Sequence, residues 1–168
     1  GGFLGVDTFF VISGFLITTL LLRERNRTGR VDMIGFWRRR ARRLLPALVV
    51  VVLASVVAAR MANSDLLVGI DRQTIGALTF SSNWLEIAAG ADYFDHTAPA
   101  LFVTFWSLAV EEQFYLLWPV ALTGILALAR TAVNRVRVVL GLAVLSAVLM
   151  AVWYAPGSNP TRVYYGTD

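Results

Sequence analysis

An all-α bundle of membrane-spanning helices is the fold class this sequence predicts, and three observations predict it. The 168 residues are 57% hydrophobic and only 15% charged, with a mean hydropathy of +0.65, which no ordinary soluble core requires. Four apolar runs are long enough to cross a hydrocarbon layer of about 30 Å, allowing for tilt and snorkelling at their ends. The charge of the connections between them alternates in sign.

The runs are Gly5 to Leu22, Leu44 to Ala59, Phe105 to Ala129 and Val138 to Ala155. A fifth stretch, Thr74 to Gly90, carries Ser81, Ser82 and Asn83 at its centre and reads as one interfacial or re-entrant helix. Between Leu22 and Leu44 lie nine arginines against Glu24 and Asp32, a net of +7. Residues 60–104 hold two arginines against five acids, a net of −3, and Arg130 to Arg137 holds three arginines and no acid. The positive-inside rule places the first and last of these connections in the cytoplasm and the acidic one outside. Four spans satisfy that alternation, with the Thr74 to Gly90 segment not crossing.

All 15 basic residues are arginine, and cysteine is absent, so neither a disulfide framework nor a thiolate metal site is available. A single histidine, His96, excludes the usual zinc spacings. No metal, no bound cofactor and no nucleic-acid partner is expected; the lipid bilayer is. The chain opens on Gly-Gly and closes on "YYGTD", and is expected to be one part of a single transmembrane domain, residues 1–168, that continues at both ends.

Polar residues inside apolar runs carry the functional expectations. Glu111, Glu112 and Gln113 interrupt the third run, where a carboxylate costs about 2.5–3.5 kcal/mol on insertion scales. Helical spacing puts Ser107, Glu111 and Tyr115 on one face, while Glu112 points about 100° away, so the two carboxylates are not expected to share a partner. One lines a cavity and the other is paired elsewhere, or both are interhelical glue; Glu111, with hydroxyls on its face, is favoured for function. Pro119 frees the carbonyl of Tyr115. The basic run "FWRRRARRLLP" reads as a loop at the cytoplasmic membrane surface, either binding anionic lipid or, with Arg40 and Arg43 three apart on one face, clamping phosphate. Ser13 and Gly14 are small residues suited to close helix packing, and Asp7 suits a helix N-terminus or could hold a histidine or a hydroxyl. His96 reads as an ordinary exposed residue.

"GGFLGVDTFFVISGFLITTLL", "GFWRRRARRLLPA", "SNWLEIAAGADYF", "FWSLAVEEQFYLLWPV" and "RVYYGTD" occur in this order. Together they closely resemble the bacterial membrane-bound acyltransferase family 3, over the whole chain. The resemblance implies a multi-pass enzyme of the bacterial inner membrane. It would move an acyl group, commonly acetyl, from cytoplasmic acyl-CoA as co-substrate to a hydroxyl of a glycan, glycolipid or other lipid-linked acceptor. On the matching positions it implies catalytic roles for Glu111 and Asp7. It implies substrate contacts for Arg40 and Arg43 at the CoA end, and for Ser13, Tyr115 and Tyr165. The general base, a histidine, belongs by the same resemblance to a helix ahead of Gly1, so residues 1–168 alone are expected to be inactive. A proton-coupled transporter relaying through Glu111 and Glu112, or a non-catalytic membrane module, are the competing readings.

Overall fold

The computed structural model describes residues 2–63, 67–89, 101–153 and 165–166. Six helices follow in order: α1 (Gly2–Thr28), α2 (Met33–Ala62), α3 (Ile70–Leu78), α4 (Ser82–Ala89), α5 (Phe105–Leu128) and α6 (Ala132–Trp153). No strand occurs among the described residues. Gly1, Asp65, Gly90, Asp92, Asp95, His96 and Asp168 lie outside them.

α1, α2 and α6 are long and apolar enough to cross a membrane. α5, at 24 residues, has the length, but it is not among these three, its apolar run being interrupted by Glu111, Glu112 and Gln113. The apolar side chains face outward: Phe15, Leu16, Val50, Leu53, Leu117 and Val144 are all exposed. Polar groups turn inward, with Glu111, Ser13 and Asn83 buried. Such an inverted distribution suits a lipid surround, where polar groups must be satisfied within the protein.

The run of arginines is not a loop. Only residues 29–32 join α1 to α2, and the arginines form the first turns of α2. Gly29, at φ +78°, ends α1 in the left-handed conformation, and its N–H donates to the Arg25 carbonyl at 2.7 Å. Asp32 then caps α2, its carboxylate accepting from the Gly35 N–H at 2.9 Å. A Cβ at position 35 would fall 1.9 Å from that carboxylate, so a larger residue there would have to displace the capping side chain. A cap at Asp32 starts the helix twelve residues before the apolar run that marks it in the sequence.

The segment expected as one interfacial or re-entrant helix is two helices. α3 and α4 meet at a tight turn in which Phe80 takes φ 52°, a conformation that costs a non-glycine residue roughly 1–2 kcal/mol. The turn is held from two directions: Ser81 N–H donates to the Gly76 carbonyl at 2.9 Å, and the Gln113 side chain donates to the Phe80 carbonyl at 2.8 Å. Gly76 lets the two helices close, since a Cβ there would meet Leu85 at 2.8 Å. Nine and eight residues long, neither helix spans a bilayer.

Cross-links fix the directions of the long helices. Ser13 meets Glu111, Thr18 meets Trp118, and Arg25 reaches the Leu126 carbonyl, so α1 and α5 run parallel, side by side. Trp37 meets Tyr115, Arg40 meets Glu112, and Leu48 clusters with Phe102 and Phe105, so α2 runs the opposite way. The basic turn after α1 and the basic turn after α5 therefore share one end of the bundle.

Candidate functional site

The site is built where α1, α2 and α5 cross. Glu111 Oε1 accepts from Ser13 Oγ at 2.6 Å and from the Tyr115 hydroxyl one turn along α5. Arg40 arrives from α2 and presents one N–H edge to Glu112, its Nε lying 3.0 and 2.9 Å from the two carboxylate oxygens. Its Nη2 also bonds Glu112 and stands 3.8 Å from Glu111 Oε1. The guanidinium lies over the Tyr115 ring, 3.2 Å from its centroid. Cation–π contacts of a desolvated arginine contribute about 2 kcal/mol. Contrary to the helical-wheel expectation, one cation therefore touches both carboxylates.

Beneath the cluster the backbone is completed by another long-range contact. Pro119 has no N–H, so the Tyr115 carbonyl lacks its helical donor, and the Trp37 indole N–H supplies one at 3.2 Å. On the far side, Gln113 donates to Asn83 Oδ1 at 2.9 Å and accepts from the Trp84 indole at 3.1 Å. Asn83 in turn donates to the Tyr165 carbonyl at 3.1 Å. Gln113 thus ties α4 and the Tyr165 backbone to α5.

Between these two networks lies a cavity of about 640 Å³, walled by Ser13, Glu111, Gln113, Trp84, Phe114 and Trp118 among others. Its lining is apolar except for the side chains of Ser13, Glu111 and Gln113 and the indole N–H groups. Glu111 Oε2 accepts no hydrogen bond from any described residue, and Glu111 faces this space. A hydroxyl or protonated base entering the cavity would meet the Glu111 side chain, whose carboxylate keeps acceptor capacity.

The expected residues divide sharply. Ser13, Arg40, Glu111 and Tyr115 converge. Arg43 is exposed, and no described residue pairs with it. Asp7 is exposed on the second turn of α1, one turn before Phe10 of the cavity wall, and does not reach the cluster. Ser107 caps back onto the Thr104 carbonyl at 3.1 Å instead of joining Glu111. Tyr165 is fully buried, its ring edge-on to Trp106 at 5.5 Å, outside the cavity wall. Sequence reasoning did not single out Glu112 as the partner of Arg40, nor Gln113, Asn83 and Trp84 as a unit; the polar centre of the α3–α4 segment was the available signal.

A family profile described as an acyltransferase domain matches residues 1–167. The chain belongs to this acyltransferase domain family. The peptidoglycan O-acetyltransferase OatA of Listeria monocytogenes serovar 1/2a is 41% identical over 169 residues, covering 100% of this chain and 27% of the relative. YrhL of Bacillus subtilis, provisionally named a peptidoglycan O-acetyltransferase, is 42% identical, again over 100% of this chain and 27% of the relative. A Staphylococcus aureus protein of strain COL, provisionally named an O-acetyltransferase, is 41% identical with 100% and 28% covered. This stretch of acyltransferase domain thus spans little more than a quarter of the length of those relatives. No solved structure matches it.

Proposed function

We propose that this acyltransferase-domain chain serves O-acyl transfer, moving an acyl group, acetyl by the likeness to named O-acetyltransferases, from cytoplasmic acyl-CoA to a hydroxyl of a cell-surface glycan or lipid-linked acceptor. The observation that carries the reading is the Glu111 carboxylate, one oxygen held by Ser13 and Tyr115 and the other open, at the wall of an apolar cavity in a chain of that family. In the reaction the acceptor oxygen bonds to the acyl carbon, the thioester C–S bond breaks, and CoA leaves as its thiol. The hydroxyl proton must pass to a positioned base. Glu111 Oε2 is suited to orient the hydroxyl or the protonated base, because its partner oxygen is already fixed. Asp7 and Tyr165 keep their substrate roles here only by family resemblance.

The domain sits, in this reading, in the bacterial inner membrane with four spans. α5 lies parallel to α1 from Ser13 to Arg25, twelve residues or about 18 Å, so a bilayer crossed by α1 is crossed by α5. α3 and α4 then pack at the outer end, against α2 and α5. The bidentate hold of Arg40 on Glu112 weighs against a proton-relay transporter, since that carboxylate is neutralised in place.

Labelled acetyl-CoA given to membranes containing the full-length protein, with peptidoglycan fragments as acceptor, tests the activity. Label in ester linkage on the glycan, lost in Glu111→Gln at equal protein level, is the expected result. Transfer unaffected by Glu111→Gln would remove this site from the chemistry.

A further inference from the structure

The arginine motif does not present its two guanidiniums alike. Arg40 has its Nε–Nη2 edge on Glu112, its Nη2 near Glu111 and one face on the Tyr115 ring. Its side chain is 22% exposed, against 12% for Glu112 and 8% for Glu111. Arginine recognises phosphate by offering such an edge, and this one is taken. Two carboxylates around one guanidinium also leave the cluster with net negative charge, which repels an arriving phosphate. Arg43, three residues on, is exposed and has neither constraint among the described residues.

We propose that Arg40, with Glu112, is a positioning pair for Glu111 and Tyr115, and that acyl-CoA phosphates, on the donor reading given above, are left to Arg43. Glu111 and Glu112 are neighbours in sequence but diverge around α5. Arg40 is the described group that bridges them, pressing on the Tyr115 ring whose hydroxyl holds Glu111 Oε1. Removal of Glu112 releases the guanidinium toward the Glu111 carboxylate and away from that ring. Both members of the pair therefore act through the geometry of Glu111, without touching substrate.

The test is the division between kcat and KM in the full-length protein in membranes, with acetyl-CoA as the varied substrate. Arg40→Ala and Glu112→Ala should each lower kcat about tenfold or more while the KM for acetyl-CoA stays within about twofold. Arg43→Ala should raise that KM by about tenfold with kcat retained. The exchange Arg40→Glu with Glu112→Arg should recover about tenfold over either half. Should Arg40→Ala fail to reach the membrane, Arg40→Lys reads the same split, because it keeps charge but loses the side-on edge. A raised KM with unchanged kcat in the Arg40 variants, or an exchange no better than its halves, overturns the proposal. If the wild type takes no acyl group from acetyl-CoA, only the donor reading falls. Glycan O-acetylation in cells, scored for the exchange against its halves, then decides on the pair.

Discussion

Two hydroxyl donors hold one oxygen of Glu111, and they can be removed separately. Ser13→Ala deletes the bond from α1 with little change of packing, and Tyr115→Phe deletes the bond from α5 while keeping a ring under Arg40. Hydrogen bonds to charged groups contribute about 1.5–3 kcal/mol. If the carboxylate must stay fixed as the reaction proceeds, each variant should lose about tenfold or more in kcat. Initial rates at saturating donor measure this, and rates unchanged in both variants would mean that the anchoring of Glu111 has no part in turnover. The Glu111–Tyr115 pair was legible in the sequence because it lies within one helix, where spacing alone sets the geometry. Arg40–Glu112 was not, because its members are 72 residues apart and meet only through the register of α2 on α5. Glu111 takes precedence over Glu112 in the sequence through the hydroxyls on its face; the ion pair raises the expected cost of losing Glu112 to a similar size.

Pro119 illustrates the same boundary one level up, between a helix and its neighbour. The missing N–H is certain from the sequence, and so is the orphaned Tyr115 carbonyl, but the identity of its donor is a tertiary matter. Trp37, at the start of a helix that reads from composition as a loop, answers it. Trp37→Phe should therefore lower the thermal stability of the detergent-solubilised protein by about 1–3 kcal/mol, the cost of a part-buried carbonyl left without a donor. In a Pro119→Ala background, where the helix regains its own N–H, the same change should cost about 1 kcal/mol less. Equal losses in both backgrounds would show that the indole matters only for packing. The α3–α4 turn escaped the sequence reading for a different reason. Phenylalanine carries no signal for positive φ, and Phe80 adopts it where the Gly76 approach and the Gln113 amide over-determine the chain path. The Asp32 cap was not read from the sequence either, because the density of arginine after it made the segment read as a loop.

At the scale of the whole bundle, the depth of the arginines is the feature with the widest consequence. Ser13, Glu111, Glu112 and Arg40 are joined side chain to side chain, with Ser13 fifteen residues, about 22 Å, from the end of α1 at Thr28 and Arg40 seven residues, about 10 Å, from the start of α2 at Met33. Arg43 lies ten residues, about 15 Å, from the start of α2, on the side of Arg40 away from the basic turns. An exposed guanidinium at that depth would cost about 2.5–3.5 kcal/mol against lipid, so its surroundings in the membrane should be aqueous and open to the cytoplasm. Residues 1–168 hold no cysteine, which makes the point measurable with single introduced cysteines in this stretch. Thr28→Cys should react with a membrane-impermeant thiol reagent from the cytoplasmic side only, and Asn63→Cys, at the opposite end of α2, from the outside only. Arg43→Cys should react from the cytoplasmic side as well, more slowly than position 28 but far faster than Val50→Cys on the outward apolar face. Labelling of position 28 from outside would invert the topology. Silence at position 43 from both sides, with position 28 reactive, would place Arg43 against lipid or protein and close the inlet through which the donor is expected to reach Glu111.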